Sequence, residues 1–173
     1  MKIRKAKIDD IEKTIEISKI TWIDTYPNKD FWITRQDILN HFLQKEKEWR
    51  LEKRKKEFRE NDKNRIFLVW EVDEKVVAFC DLKKNYWENN ENILIAIYVL
   101  PEFQGKWIWK KLFEEIFKNF TKNENLFLEV ASYNKKAIKF YEKFLFKIIK
   151  WSEDKHFIWE RKFIPTIKMK KVF

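Results

Sequence analysis

The stretch Ile93-Leu94-Ile95-Ala96-Ile97-Tyr98-Val99-Leu100-Pro101-Glu102-Phe103-Gln104-Gly105-Lys106-Trp107-Ile108-Trp109-Lys110-Lys111-Leu112 decides the architecture. Ile93 to Leu100 is apolar without alternation, the pattern of a central strand covered on both faces, and Pro101 ends it because proline has no amide to donate. After a short polar loop, Ile108, Leu112, Phe113, Ile116, Phe117 and Phe120 recur at helical spacing, which predicts an amphipathic helix of about three turns. A strand, a tight loop and a helix in succession belong to α/β architecture. The loop also puts unpaired amides at a helix N-terminus, where phosphate is welcome. Every strand-to-helix turn offers this, so the feature alone names no chemistry.

Outward from that stretch the pattern continues. Residues 2 to 8 read as a first strand. Asp9 with Glu12 resembles a cap and capping box for a helix striped by Ile11, Ile15, Ser18 and Trp22, ending near Tyr26-Pro27. Thr34 with Asp37 caps a second helix carrying Ile38, Phe42 and Leu43, whose later, charged turns run over the surface. Ile66 to Val72 and Lys75 to Leu82 form a hairpin across Asp73-Glu74. Asn125 to Ala131 is a strand, Ser132-Tyr133-Asn134 leads into a helix with Ala137, Ile138, Tyr141 and Phe144, and Phe146 to Trp151 and Phe163 to Val172 close the chain as strands. The expected order is β α α β β β α β α β β. No linker or repeat interrupts it, so residues 1–173 are expected to be one α/β domain, a central mixed, twisted sheet flanked by helices.

Composition narrows the function classes. A single cysteine, Cys80, excludes an internal disulfide, and isolated His41 and His156 lack metal-ligand spacing. No apolar run nears the roughly 20 residues that cross a bilayer, and the first residues lack a signal peptide's apolar core. A cytoplasmic protein without metal or membrane is expected. The net charge of +10 favours polyanionic partners, yet the basic cluster Arg50 to Lys56 is interleaved with Glu46, Glu48, Glu52 and Glu57. The i,i+4 pairs Glu46 with Arg50 and Glu52 with Lys56 suit a solvated helix better than a nucleic-acid patch.

The longer phrase from Ile97 to Leu112 closely resembles the acetyl-CoA signature of the GNAT superfamily of N-acetyltransferases, whose loop reads Gln/Arg-x-x-Gly-x-Gly/Ala. Leu128 to Phe144 is similar to the family's later strand and helix, in the family's order and spacing. The resemblance spans essentially the whole chain. It implies the GNAT (acyl-CoA N-acyltransferase) fold, with the pantetheine arm of acetyl-CoA between two splayed parallel strands, Leu94 to Leu100 and Leu126 to Ala131. By the same likeness, Ile97, Tyr98 and Val99 border the arm. Gln104, Gly105, Lys106, Trp107, Ile108, Trp109 and Lys110 surround the pyrophosphate, Asn134 contacts the arm, and Tyr141 is the general acid that protonates the departing thiolate. Without the likeness, Tyr141 reads as a helix tyrosine packed on the sheet. Glu129 and Glu91 lie near the presumed cleft and read as surface carboxylates. The implied reaction is direct acetyl transfer to a primary amine of a small molecule or peptide, by a monomer or homodimer.

One departure cuts across this. Where the family pattern has its two loop glycines, this chain has Trp107 and Trp109. Glycine belongs there because phosphate approaches the backbone closely and the loop bends tightly. Three readings follow: a catalytically inactive binding module, with a basic surface for nucleic acid; a rearranged loop that still admits the cofactor; or UGA codons that mean glycine in the source and are written here as Trp. The composition bears on the last, since the chain has 1 Gly and 9 Trp where about 12 glycines are usual for this length. A/T-rich coding depletes both residues and so leaves the tryptophan excess unexplained. Trp32 precedes a helix cap, and Trp87 and Trp159 fall in turn-like polar segments, whereas Trp22 lies on an apolar stripe. Ala78 and Leu145 stand where relatives often have glycine and are not explained by UGA.

Overall fold

The computed structural model describes residues 1–45, 47–60, 63–86, 91–105, 107–159 and 162–173, with side chains described for those residues except 44, 45 and 150–159. The order is β1 (Lys2–Lys5), α1 (Asp10–Thr25), α2 (Arg35–Lys45), α3 (Glu48–Arg59), β2 (Arg65–Val72), β3 (Lys75–Lys83), β4 (Asn92–Val99), a 3-10 turn (Pro101–Phe103), α4 (Ile108–Phe117), β5 (Asn125–Ala131), α5 (Lys135–Lys143), β6 (Lys147–Trp159) and β7 (Lys162–Val172). Among the described residues these strands make one seven-stranded sheet in the order β1-β2-β3-β4-β5-β7-β6. All neighbours are antiparallel except β4 and β5.

Alternating side chains cover the two faces of the sheet. Leu68 and Trp70 of β2 join Ile108, Leu112, Phe113 and Ile116 of α4 and Tyr141 of α5 in one core. Phe67 and Val69 point the other way, into a second core with Ile11, Ile15 and Trp22 of α1 and Ile38 and Phe42 of α2. Trp22 stacks on His41 with ring centroids 5.1 Å apart.

The expected order holds with three corrections. The second helix is two: α2 ends at Lys45, and α3 starts anew at Glu48 after Lys47, whose ψ of 133° is extended. That charged segment buries no residue fully, and propensity alone does not carry a helix through a backbone break. Lys55 ties α3 to α1 through Glu12 at 2.7 Å, while Glu46 lies outside the described residues. Second, Asp9 occupies the N-cap of α1 but makes no side-chain cap bond. Asp10 does that work, accepting from the Lys7 amide at 2.6 Å and from both terminal nitrogens of Arg4 at 2.6 and 3.0 Å. Third, β6 runs on to Trp159 rather than stopping at Trp151, its polar end paired with β7 as far as Trp159 opposite Lys162.

Other expectations hold in detail. Thr34 and Asp37 form a reciprocal capping box, the Asp37 amide donating to Thr34 Oγ1 at 3.2 Å and the Thr34 amide to Asp37 Oδ2 at 2.8 Å. Asp73 and Glu74 turn the β2–β3 hairpin with φ of 47° and 64°, the doubly left-handed turn that matches strand twist.

Candidate active site

The parallel strands β4 and β5 begin side by side, pairing Asn92 with Leu126, Ile93 with Phe127 and Leu94 with Leu128. Pairing ends there, although β4 continues to Val99 and β5 to Ala131. The cause lies on the other edge of β4. Its register with β3 passes from Leu94 opposite Leu82 to Ala96 opposite Asp81, which makes Ile95 an extra residue. Such a bulge bends its strand and sharpens the twist. Consistent with it, Leu94, Ile97 and Val99 all face one core, a spacing a regular strand forbids. β4 leaves with β3, while β5 stays with β7 as far as Ala131 opposite Thr166. Ile95, expected to be covered on both faces, is 45% exposed at the opening.

The resulting cleft is lined by Ile97, Tyr98 and Val99 on one wall and by Glu129 and Val130 on the other. Leu100 gives its amide to Val77 on β3 at 3.0 Å. Because backbone groups alternate sides along a strand, Tyr98 also turns toward β3, and Ile97 and Val99 present their amides and carbonyls across the gap. Gln104 spans that edge: its Nε2 donates to the Val99 carbonyl at 3.2 Å, and Lys136 Nζ donates to its Oε1 at 3.2 Å.

Helix α4 opens at the end of the cleft. Gly105 has φ of 77° with no atom within 4 Å of where a Cβ would stand. Trp107 is the N-cap of α4 in the left-handed region, φ 62° and ψ 4°, its indole 70% exposed with Lys110 Nζ 5.5 Å from the ring centroid. Ile108 is buried under the helix. Trp109 turns inward, lines the cleft and meets Phe140 edge-on at 5.1 Å. Lys110 also approaches Glu114 at 3.7 Å. Lys106 lies outside the described residues.

Helix α5 supplies the opposite rim. Asn134 caps it, its Oδ1 accepting from the Ala137 amide at 3.0 Å, and it borders the cleft together with Tyr141. Tyr141 is 7% exposed, held among Phe113, Phe140 and Phe146. Burial, with smaller contributions from Tyr98 and Cys80, pushes its phenol well above the usual tyrosine value, so the hydroxyl keeps its proton at neutral pH.

The far mouth is built by residues that the sequence did not single out. Thr21, Thr25 and Tyr26, on the last turn of α1 and just beyond it, line the cleft. Tyr133 donates its hydroxyl to the Tyr26 carbonyl at 2.9 Å, and Phe31 stacks on the Tyr133 ring at 5.3 Å. The i,i+4 spacing of Thr21 and Thr25 sets those two on one helix face, the only signal available in advance. Of the two acidic residues, Glu129 lines the cleft, whereas Glu91 faces Lys168 at 3.8 Å.

Comparison with known proteins bears on this site. The model of the acetyltransferase (GNAT) family matches residues 16–146. An N-alpha-acetyltransferase of Saccharolobus solfataricus is 27% identical over 160 residues, covering 86% of this chain and 81% of that protein. The fold matches the PaiA N-acetyltransferase of Thermoplasma acidophilum solved with coenzyme A, with a TM-score of 0.74, 24% identity and coverage of 99% and 98% of the two chains. It also matches a GNAT-family acetyltransferase of Streptococcus pneumoniae, with a TM-score of 0.68, 18% identity and the same coverage. With a family model spanning most of its length and the cleft from β4 to α5 inside that span, the chain belongs to the GNAT acetyltransferase family.

Proposed function

We propose that the chain is a single-domain, cytoplasmic N-acetyltransferase that moves the acetyl group of acetyl-CoA to a primary amine of a small molecule or peptide. The observation that carries this reading is the cleft opened by the Ile95 bulge, with the Tyr141 phenol on its rim and the α4 N-terminus at its end. Acetyl-CoA is the co-substrate. Its pantetheine arm lies along the edge of β4, where Ile97 and Val99 offer the backbone bonds a missing strand would have made. Its diphosphate meets the first amides of α4, where the helix dipole favours negative charge.

The acceptor amine enters from the mouth at Thr25 and Tyr26. Its lone pair attacks the thioester carbonyl, whose oxygen turns to backbone amides of β4, and a C–N bond forms. As the C–S bond breaks, the Tyr141 hydroxyl gives its proton to sulfur, and the ammonium proton leaves to water or a base. A thiol-release assay with acetyl-CoA and a panel of amines, an N-terminal peptide and spermidine among them, tests the reading. Acetylation of at least one amine supports it, and absence of turnover across the panel by both the chain as written and its Trp107→Gly/Trp109→Gly variant refutes it.

A second reading has one observation in its favour. Trp109 lines the cleft, which suits an inactive module of the same fold. Saturable acetyl-CoA binding refutes that reading. No binding, with salt-sensitive binding of nucleic acid, supports it.

A further inference from the structure

We infer that positions 32, 107 and 109 are glycines in the protein as its own cell makes it, written as Trp because their UGA codons were read by the wrong table. Backbone conformation carries the inference at positions 32 and 107, and it separates them from the core tryptophans and from Trp49, which is 60% exposed but helical in α3. Trp22 and Trp70 are 6% and 7% exposed and belong to the two cores. Trp32 and Trp107 have φ of 51° and 62° and are 81% and 70% exposed. A bulky side chain in the left-handed region is a genuine outlier, whereas glycine enters it freely. Burial of the ring, the usual reason to keep an indole, is missing at both.

Local geometry says what each position is for. Asn28 and Ile33 exchange two backbone bonds of 2.8 and 2.9 Å around a tight loop, and Trp32 is the last residue of that loop, where a left-handed residue turns the chain back. Trp107 is the left-handed N-cap of α4, two residues after Gly105, itself at φ 77°. Trp109 is not left-handed. Its ring lies in the cleft against Phe140 and narrows the space beside the first turn of α4. Removing that ring opens the cleft at the helix that is to receive the diphosphate.

Other left-handed residues mark the boundary of the inference. Asp73, Asn85 and Asn123 are of the types that tolerate this region. Leu145, at φ 68° and 71% exposed, and Glu74, at φ 64°, are not reachable from glycine through UGA, so a left-handed residue does not by itself mark a recoded position. Trp159 sits in strand β6 rather than a turn and gives no support, and Trp87 lies outside the described residues.

The consequence for acetyl-CoA rests on the function proposed above, whereas the residue identities do not, and two measurements keep them apart. The first is the mass of peptides spanning 32, 107 and 109 in protein isolated from its source, together with the codons. UGA at all three with peptides lighter by the tryptophan side chain, and UGG at 22 and 70, is the expected result. UGG at 107 and 109, or peptides of tryptophan mass, overturns the inference. The second compares the chain as written with Trp107→Gly/Trp109→Gly by calorimetry with acetyl-CoA and by thermal unfolding. Roughly tenfold or tighter binding is expected from a freed diphosphate site. Trp32→Gly alone is expected to raise the unfolding midpoint, and Trp22→Gly to lower it. Glycine masses with no acetyl-CoA binding by the double variant leave the inference standing and overturn the proposed function.

Discussion

At the scale of single residues, Tyr141 holds two positions at once. Its ring fills a core with Phe113 and Phe146, and the residue also lines the cleft. Read from helical spacing alone it is a packed tyrosine, which is true. Only the family phrase from Leu128 to Phe144 suggested the second role, because nothing in a periodic pattern reports which end of a ring meets a ligand. Tyr141→Phe keeps the ring and removes the proton. We expect kcat to fall by about 100-fold or more with the KM for acetyl-CoA little changed, measured by thiol release. An unchanged kcat removes Tyr141 from the chemistry. Tyr133 illustrates a stability effect of the same group. Burial raises its phenol to about 12, above the value near 10 of an unfolded tyrosine. Its neutral form is the one the fold accommodates, so the contribution is intact below about pH 10 and is lost as pH rises from there through about 12. Alkaline unfolding of Tyr133→Phe, followed by circular dichroism, should therefore be displaced to higher pH relative to the parent.

At the scale of elements, local chemistry was legible where one side chain answers one backbone group. Thr34 and Asp37 sit three apart before an apolar run, and they form the box that spacing predicts. Thr34→Ala should cost about 1 kcal/mol, read as a lower midpoint in urea, with Thr34→Ser restoring most of it. The same rule misjudged α1 because Asp9 and Asp10 are adjacent, and the choice between them is made by Arg4, a residue on β1 that no helix pattern includes. Burial alone would raise the Asp10 carboxyl, but bonds from Arg4 and the Lys7 amide outweigh it and hold the pKa below the usual range. A depressed pKa means the pair stabilises fully above about pH 4, the unfolded value, and that stability fades as pH falls through the lower folded value. Asp10→Asn should cost about 2–3 kcal/mol at neutral pH and flatten the acid limb of the stability profile. A parent-like acid limb in that variant contradicts the assignment. The bulge at Ile95 was not legible at all. An unbroken apolar run reads as regular strand, and an extra residue in it is visible only against the register of a neighbour.

At the scale of the whole molecule, the charge and the cleft meet. An excess of ten positive charges sets a field that draws polyanions. The α/β class followed from element types and their succession, whereas the order of strands in the sheet was not read from the sequence. Nor was the proposed acceptor mouth, because the end of α1 and Phe31 meet Tyr133, about a hundred residues away, only in the fold. That asymmetry yields a prediction about the two substrates. Acetyl-CoA carries several negative charges, so its capture should weaken as salt screens the field, the Debye length shrinking from about 10 Å at 0.1 M to about 3 Å at 1 M. In the proposed reaction the chemical step takes place inside the cleft beside a neutral Tyr141, shielded from that screening. Across this range, kcat/KM for acetyl-CoA should fall while kcat stays nearly constant. For a neutral or singly charged acceptor kcat/KM should change little, and for a polycationic amine it should rise as repulsion is screened. If instead kcat falls in step with kcat/KM, the positive surface is acting on the chemical step or on folding, and charge steering is not its role.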